Sequence, residues 1–403
     1  MSSASREPDR PANPAIAGAP VWSALFSDGS EERFGQGTPL FTLCVPTRKA
    51  LRWLLNTDAY SAAAAFVHGE FNVMGNLEAA IHFKGWQPCS GMRKRLIGAI
   101  AHWTAALENG LQTKAGAARN VRFHYDRSND FYRLFLDPLM VYSCGYFRSA
   151  DVALADAQVA KLDHICRKLD LRPGEQFLDI GCGWGALVGH AADRFDAVAT
   201  GCTLSSAQYE HAIARLGRHA TILDCDYRVL SGRYDKIASV GMFEHVGPRR
   251  ALEYFRKMAE LLAPDGLLLN HAIARLRGVR DDAATLFVRR HIFPGGRLMS
   301  LDQMVRAAED RGFEVLDVEN LRPHYALTCR HWRERLEANR DAALRFVDET
   351  TFRTWRIWLA GSALSFEEGY SAVYQVLLGK RGVSRRRLTR DHIYSEPVSS
   401  AAE

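Results

Sequence analysis

Short runs of apolar, strand-forming residues alternate with segments of helical periodicity between about residues 175 and 380. The predicted strands lie at residues 175–180, 196–204, 219–226, 234–240, 265–273, 312–321 and 371–380. The predicted helices lie at residues 184–195, 205–217 and 250–263. Strands interleaved with helices predict an α/β fold built on a doubly wound, parallel sheet.

The composition changes along the chain and divides it into five regions. Residues 1–20 form a leader rich in Pro, Ala and Ser, which we predict to be disordered and which lacks the basic start and apolar core of a secretory signal. Residues 21–110 form a smaller N-terminal accessory domain, and residues 111–155 form a helical connecting segment. Residues 156–380 form the larger domain, and residues 381–403 form a basic tail that we predict to be flexible.

A further helix is predicted over residues 92–111, where an apolar face follows a basic cluster. The basic cluster is Arg93, Lys94 and Arg95. The apolar face consists of Leu96, Ile100, Trp103 and Leu107. Such a helix either lies on a membrane surface or packs against its own core, and the sequence leaves both interpretations open.

Composition and charge narrow the class of protein. The chain has 403 residues, 47% of them hydrophobic and 24% charged, and it has no apolar stretch near the roughly 18 residues that a membrane span needs. We therefore expect a cytoplasmic protein. A net charge of +6 favours contact with anionic surfaces, either phospholipid or nucleic acid. Nucleic-acid binding is disfavoured because basic and aromatic residues are not interleaved.

The eight cysteines contain no CxxC pair, so a zinc ribbon is not predicted. Cys144 is notable because it lies between aromatic residues in the stretch MVYSCGYF, residues 140–147. From the residues alone it is a buried core cysteine, a metal ligand or part of a chemical site.

The stretch FLDIGCGWG, residues 177–185, lies where the first predicted strand of the larger domain turns into a helix. Gly181, Gly183 and Gly185 allow a tight turn and the close approach of a ligand to the helix N-terminus. Asp179 can bind the ammonium group of an amino-acid moiety but would repel a pyrophosphate. The pattern therefore favours S-adenosylmethionine over a dinucleotide.

The next strands supply further candidates for cofactor binding. The second strand does not end in the carboxylate that commonly binds the ribose hydroxyls, but Thr203, Ser205 and Gln208 offer neutral hydrogen bonds. At the exit of the third strand, Asp226, Tyr227 and Arg228 are candidates for contact with the adenine.

Six separated motifs together resemble the cyclopropane-fatty-acid synthases and mycolic acid cyclopropane synthases. In chain order these are FHYDRSNDFYRLFLDPLMVYSCGYF, FLDIGCGWG, GMFEHVG, LLNHAI, IFPGGRL and LRPHYALT. The resemblance covers about residues 120–380, and residues 66–81 look like part of the accessory domain of the bacterial fatty-acid enzymes. It implies a class I S-adenosylmethionine-dependent methyltransferase with a Rossmann-like sheet.

The family's activity implies transfer of a methylene group to a cis double bond of a phospholipid acyl chain, which gives a cyclopropane fatty acid. The carbocation formed on the way must be shielded from water, and Tyr142, Tyr146 and Phe147 are candidates to stabilise it. A bound bicarbonate ion is implied as the base. By carry-over onto matching positions, the bicarbonate is bound by Cys144, Glu244, His271 and Tyr325.

In this interpretation the Cys144 thiol or amide donates to the ion, and the thiol is not a nucleophile. Tyr142 and Ser143 touch the cofactor. His245 has no assigned role and is expected to be structural. Ser362 stands where many family members have a cysteine, and Asn270 stands where an apolar residue is usual, so that it could alter substrate shape or the hydrogen bonding of His271.

The alternatives are a related enzyme that forms methyl-branched or methylene fatty acids, a methyltransferase for a soluble small molecule, and a non-catalytic binding protein. The leading interpretation predicts a peripheral enzyme at the inner face of the cell membrane, with the membrane surface as its partner and no nucleic acid. The resemblance also implies a homodimer.

Overall fold

The computed structural model describes residues 20–86, 128–279, 283–293, 297–383 and 387–394. The chain divides into two compact units, Met1–Lys94 and Arg95–Glu403. The division lies before the predicted boundary at residue 110, and the predicted helix at residues 92–111 lies outside the described residues.

The first unit has a small sheet in the strand order β2-β1-β3-β4. Its strands are β1 (Trp22–Phe26), β2 (Glu31–Phe34), β3 (Phe41–Val45) and β4 (Asn72–Gly75). Its helices are α1 (Arg48–Asn56), α2 (Ala59–Val67) and α3 (Leu77–Trp86). The sheet has one buried face because β3 alternates buried and half-buried residues. Thr47 and Asp58 cap α1 and α2 by accepting hydrogen bonds from backbone N–H groups.

The second unit is built on a seven-stranded sheet in the order β10-β11-β9-β8-β5-β6-β7. Its strands are β5 (Gln176–Ile180), β6 (Val198–Thr203), β7 (Thr221–Asp224), β8 (Tyr234–Val240), β9 (Leu262–Arg275), β10 (Phe313–Asn320) and β11 (Ser371–Lys380). Every strand predicted from the hydrophobic pattern is present. Strands β5 to β9 are parallel, but β11 runs antiparallel to both of its neighbours. The hydrophobic pattern could not show this reversal, because a buried strand looks the same in either direction.

Helices cover the sheet and extend beyond it. The first group is α4 (Asn129–Arg133), α5 (Leu154–Lys168), α6 (Ala186–Phe195), α7 (Ser206–Leu216), α8 (Phe243–Val246) and α9 (Ala251–Leu261). The second group is α10 (Ala283–His291), α11 (Leu301–Glu309), α12 (Arg322–Ala338), α13 (Arg340–Ala343), α14 (Glu349–Glu367) and α15 (Asp391–Tyr394). Short 3₁₀ turns occupy Tyr227–Val229 and Pro248–Arg250. Within the described ranges, no helix combines the length and the hydropathy that spanning a bilayer requires.

The predicted connecting segment contributes to the core of the second unit. Phe131, Tyr132 and Phe135 are fully buried and pack with Trp332 and Trp355 of α12 and α14. Burial of this aromatic cluster fixes the chain just before residues 140–147, so the described part of the segment is an integral part of the unit rather than a linker.

The predicted flexible tail differs from the structure in its described part. Residues 387–394 contain α15 and lie against the second unit. Arg387 Nη2 is 2.6 Å from Asp170 Oδ1, and Arg390 Nε is 2.7 Å from Asp317 Oδ1. These two arginines were predicted to remain in a basic tail, but acidic partners on the unit bind them.

Candidate active site

A cavity lies at the carboxyl edge of the parallel strands, where β5, β6, β7 and β8 end. This is the edge at which α/β sheets commonly bind ligands. Nine of the residues predicted to bind the cofactor line it: Tyr142, Ser143, Asp179, Gly181, Gly183, Thr203, Gln208, Tyr227 and Arg228. Ser205 does not line it and instead caps α7 by accepting a hydrogen bond from the Gln208 N–H. His245, which we expect to be structural, lines it as well.

The glycine-rich turn forms the floor of the cavity between β5 and α6. Gly181, Gly183 and Gly185 have φ angles of 76°, 54° and 83°, in the left-handed region that favours glycine. A Cβ atom on Gly181 would lie 2.9 Å from Met242 Cγ. A side chain at Gly181 would therefore clash as well as strain the backbone. The N–H groups of Gly181 and Cys182 both donate to the Cys202 carbonyl, which fixes the turn to the end of β6.

Asp179 is buried at the end of β5, and its Oδ1 atom has no hydrogen-bond partner among the described residues. Burial raises the pKa of this carboxyl to about 7, although Lys161 opposes the shift. A buried carboxylate with a free oxygen is suited to bind a cation that enters the cavity. This agrees with the role predicted for Asp179 toward an ammonium group.

The residues after β6 and β7 are already partly paired. Thr203 Oγ1 donates to Gln208 Oε1 at 2.8 Å, which leaves the Gln208 amide N–H₂ to face other groups. Arg228 Nε is 2.7 Å from Asp226 Oδ1. The charge of Arg228 is thus largely neutralised by Asp226. Arg228 therefore lines the cavity mainly with the apolar part of its side chain, because its charge is paired with Asp226.

Glu244 lies on α8, just after β8, and His271 lies on the neighbouring strand β9. Glu244 Oε1 accepts a hydrogen bond from the Ile273 N–H at 2.7 Å, and Gly241 N–H donates to the His271 carbonyl at 2.9 Å. His271 is buried and Glu244 is half-buried, and the buried atoms Glu244 Oε2 and His271 Nε2 have no partner among the described residues. Within the described part of the chain, one carboxylate oxygen and one imidazole nitrogen are thus left without a hydrogen-bond partner near the carboxyl end of β8.

Burial sets the protonation of this pair. It raises the pKa of Glu244 to about 7 and lowers the pKa of His271 to about 3, so His271 is neutral at physiological pH. Gln375 Nε2 lies 3.2 Å from His271 Nδ1. With the amide nitrogen of Gln375 facing Nδ1, Nδ1 is the acceptor and the ring proton is assigned to Nε2. His271 is thereby prepared to donate a hydrogen bond to an acceptor.

Cys144 and Tyr325 meet at Leu321. The Cys144 thiol is 3.2 Å from the Gly145 carbonyl and 3.7 Å from the Leu321 carbonyl, which also accepts from the Tyr325 N–H at 3.1 Å. Burial raises the pKa of the thiol well above its ordinary value, so Cys144 is not a thiolate nucleophile. The thiol donates to backbone carbonyls rather than into a ligand site, which contradicts a donor role for the thiol. A donor role for the Cys144 backbone amide stays a prediction. The Tyr325 ring stacks on Phe366 at 4.5 Å.

The two pairs are connected through the sheet. Leu321 N–H donates to the Val373 carbonyl at 2.9 Å, and Val373 is opposite Ile273, the partner of Glu244. Cys144 also directly follows the cavity-lining Ser143. The structure therefore places the four predicted catalytic residues on connected elements, and none of the four lines the cavity itself.

Aromatic rings form a wall next to Tyr142. Its ring centroid is 5.0 Å from that of Trp332 and 5.4 Å from that of Tyr132, and Trp184 completes the contact at 5.1 Å from Tyr132. Both Tyr142 and Trp184 line the cavity. This wall is suited to apolar chains and to positive charge.

Two other aromatic residues predicted for the carbocation have different neighbours. The Tyr146 ring stacks on His164 at 4.2 Å and on His324 at 4.9 Å, and Phe147 stacks on His331 at 5.5 Å. Neither lines the cavity, so only Tyr142 of the predicted three does.

The structure also shows where the two departures from the family pattern, Asn270 and Ser362, lie. Asn270 points away from His271: its Oδ1 accepts from Tyr254 Oη, and its Nδ2 lies 3.2 Å from Met304 Sδ. Neighbouring residues on a strand face opposite sides, so the expected effect of Asn270 on His271 hydrogen bonding is not observed. Ser362 lies on α14 and is half-buried.

Sequence reasoning missed three buried polar residues around the site: Gln158, Lys161 and Gln375. Gln158 Nε2 donates to the Ser143 carbonyl at 2.9 Å, and Lys161 Nζ donates to Ser143 Oγ at 3.0 Å. The available signal was polar residues at positions of α5 that share its apolar stripe with Leu154, Ala157 and Leu162.

Comparison with known proteins gives the family. The model described as mycolic acid cyclopropane synthetase matches residues 112–376. The chain is 36% identical over 364 residues to a protein named probable fatty acid methyltransferase from Pseudomonas putida, with 88% of this chain and 90% of that protein covered. It is 39% identical over 277 residues to cyclopropane mycolic acid synthase 3 of Mycobacterium tuberculosis, with 65% and 96% covered.

A solved structure agrees with these relatives. The mycolic acid cyclopropane synthase CmaA1 complexed with SAH and CTAB matches with a TM-score of 0.63 and 37% identity, over 65% of this chain and 98% of that chain. The findings confirm the family and the fold class predicted from the motifs. The chain belongs to the mycolic acid cyclopropane synthetase family and is an S-adenosylmethionine-dependent methyltransferase of the class I fold.

Proposed function

We propose that the enzyme transfers a methylene group from S-adenosylmethionine to a cis double bond of a phospholipid acyl chain and forms a cyclopropane fatty acid, with bicarbonate as the base. The observation that carries this proposal is the pair of buried, unpaired atoms Glu244 Oε2 and His271 Nε2 beside the cofactor cavity. Buried polar atoms are rarely left without a partner, so an unpaired pair in a site indicates a ligand.

The residues present fit bicarbonate. The ion has one O–H group, which the Glu244 carboxylate can accept, and charged oxygens, which the His271 Nε2–H can bind. The family resemblance adds Tyr325 to this set, and its hydroxyl can supply a second donor. When bound, the ion would supply the base that removes a proton from the newly added carbon. Glu244 is in its accepting, ionised form above a pKa of about 7.

The rest of the site supports chemistry on an alkene. An alkene is a weak nucleophile, so the acceptor must be aligned with the methyl donor in a site that excludes water. The aromatic wall at Tyr142, Trp184 and Trp332 excludes water, and its ring faces stabilise positive charge that develops on the acyl chain.

The share of this chain that aligns with each relative supports a fatty-acid substrate. The alignment with the fatty acid methyltransferase covers 88% of the chain, whereas that with the mycolic acid synthase covers 65%. The first relative therefore shares more of the architecture, including sequence outside the catalytic unit. The net charge of +6 is suited to anionic phospholipid. We accordingly propose a peripheral enzyme, a homodimer, acting at the inner face of the cell membrane.

The test is incubation of the protein with S-adenosylmethionine that carries a labelled methyl group and liposomes of cis-unsaturated phospholipid, followed by mass spectrometry and NMR of the released fatty acids. We expect cyclopropane proton signals and a mass gain of one methylene unit. Methyl-branch or methylene signals would contradict ring formation and favour the branching reaction. Label that transfers only to soluble acceptors would contradict the lipid substrate.

The base is tested separately in the same assay. Removal of dissolved carbon dioxide and bicarbonate from the buffer is expected to lower turnover, and added bicarbonate is expected to restore it. Unchanged turnover in depleted buffer would remove bicarbonate from the proposal while leaving the lipid product unaffected.

A further inference from the structure

We propose that Lys161 binds the carboxylate of the amino-acid moiety of S-adenosylmethionine, opposite Asp179, which binds the ammonium group of the same moiety. This inference rests on the proposed function for its cofactor and adds the residue that recognises the cofactor's negative charge.

The first observation is that Lys161 is a buried cation at the wall of the cavity. Its residue surface is 2% exposed, and it lines the cavity together with Asp179 and Ser143. Burial lowers the pKa of Lys161 to about 8, so the group is mostly protonated at neutral pH. A buried charge of this kind costs free energy unless a partner satisfies it.

The second observation is that the ammonium group is under-satisfied. A lysine ammonium has three N–H donors, and within the described part of the chain Lys161 makes one hydrogen bond, to Ser143 Oγ at 3.0 Å. Among the nearby acidic residues Asp137 raises the pKa of Lys161 most, yet both oxygens of Asp137 accept from the N–H groups of Leu139 and Val141. The Asp137 carboxylate thus stabilises the turn at residues 137–141 and forms no hydrogen bond with Lys161.

The third observation is that Asp179, an acidic residue in the same cavity, also lacks a hydrogen-bond partner for one oxygen in the described structure. Its Oδ1 has no partner among the described residues, and it forms no ion pair with Lys161. One cavity therefore holds an unpaired cation and an unpaired anion. The amino-acid moiety of S-adenosylmethionine carries an ammonium and a carboxylate on adjacent positions, so a single ligand can satisfy both residues.

A purely structural role for Lys161 makes a different prediction. If Lys161 only held Ser143 in place, Gln158 would share that task, since its amide donates to the Ser143 carbonyl at 2.9 Å. Loss of Lys161 would then affect every ligand of the cavity alike. Recognition of a carboxylate instead requires that the effect depend on whether the ligand has one.

The experiment measures affinity by calorimetry for two ligands, S-adenosylhomocysteine and its decarboxylated analogue. With the wild-type enzyme we expect the analogue to bind about 10- to 100-fold more weakly, the range of a charge-assisted hydrogen bond. In Lys161→Met, S-adenosylhomocysteine is expected to lose that factor, while the analogue keeps its wild-type affinity. The two ligands would then bind about equally.

The matched control is Lys168→Met. Lys168 is also fully buried on α5, but it pairs with Asp317 at 3.1 Å and does not line the cavity. In this variant the preference for S-adenosylhomocysteine over the analogue should remain as in the wild type. Lys161→Met should keep or raise the Tm because Met removes an under-satisfied buried charge.

Equal loss of affinity for both ligands in Lys161→Met would overturn the proposal, and so would equal affinity of the wild-type enzyme for both ligands. The wild-type comparison needs no variant and remains decisive if Lys161→Met does not fold. Binding of S-adenosylhomocysteine without any lipid product would overturn the proposed lipid reaction but not the assignment of Lys161.

Discussion

Two regions of the second unit differ in whether their polar groups have partners within the protein. The ion-pair cluster comprises His164, Lys168, Asp317, Glu319 and Arg390. In that cluster His164 Nε2 is 2.6 Å from Glu319 Oε2, and Lys168 Nζ is 3.1 Å from Asp317 Oδ2. In the active site, Asp179, Glu244 and His271 each keep a buried atom without a partner in the described structure.

Paired polar groups stabilise the fold, whereas unpaired polar groups are available to bind a ligand. Paired groups in the ion-pair cluster hold α5, β10 and the C-terminal helix together, so removal of one partner leaves a buried charge. Unpaired groups in the active site reduce the stability of the free protein and gain partners when ligands bind. The predictions below test whether the two regions behave this differently.

The largest expected effect is on stability, from Lys168→Met. Removal of one partner from an isolated buried ion pair typically costs about 3 to 5 kcal/mol of unfolding free energy. In Lys168→Met, Asp317 keeps Arg390 and Glu319 keeps His164, so we expect a loss at the lower end of that range. We expect a clear fall in the Tm measured by scanning fluorimetry, with turnover retained below that temperature. A Tm like that of the wild type would mean that the ion-pair cluster does not stabilise the fold.

The next effect is on turnover, from Glu244→Gln. The amide cannot act as a charged acceptor, so turnover in the liposome assay should fall about 100- to 1,000-fold, as for other preorganised electrostatic groups. Affinity for S-adenosylhomocysteine should stay within about threefold, since Glu244 does not line the cofactor cavity. Near-normal turnover would remove Glu244 from the mechanism.

The pH dependence of stability should have opposite signs in the two regions. Burial raises the pKa of Glu244 from 4.5 to about 7, so its folded form retains the proton longer than the unfolded chain. The wild type should therefore lose stability relative to Glu244→Gln as the pH rises from about 4.5 to about 7.

Glu319 should do the reverse. Burial alone would raise its pKa, but His164 and Lys168 together lower it from 4.5 to about 2. Its stabilising effect is present above pH 4.5 and is lost as the pH falls toward 2, so the wild type should lose its advantage over Glu319→Gln on acidification. Tm values of the three proteins between pH 3 and pH 8, expected to differ by a few degrees, check both signs. Parallel curves would contradict the comparison.

The smallest expected effect comes from Gln375→Leu. Loss of the donor to His271 Nδ1 leaves the ring tautomer unfixed, and such indirect contacts typically contribute about tenfold. We expect kcat to fall by about that factor with the KM for S-adenosylmethionine unchanged. Glu at this position would accept from Nδ1–H and reverse the tautomer, so Gln375→Glu should lower kcat further; recovery in that variant would contradict the role of the tautomer.

Sequence reasoning succeeded where local patterns decide the structure. The glycine turn at Gly181 requires positive φ angles that few other residues adopt, and the strand ends around it follow from hydrophobic periodicity. For that reason most of the predicted cofactor residues line one cavity.

It was less successful where partners come from distant segments. The interaction of Gln375 with His271 joins residues 104 positions apart, and that of Lys161 with Ser143 joins residues 18 apart. The reversed direction of β11, on which Gln375 lies, leaves no mark in a hydrophobic pattern. The orientation of Asn270 away from His271 and toward Tyr254 follows from the pleat of β9, which a motif does not show.

The pleat of β9 also limits which changes in chain length the enzyme can accept. Asn270 and His271 are neighbours in sequence, yet one serves the core beside Tyr254 and the other serves the site beside Gln375. Deletion of one residue from the preceding part of β9 would exchange these roles, since the side-chain period of a strand is two. We therefore expect this strand to vary by substitution across related enzymes, while its length between the sheet entry and the histidine stays constant.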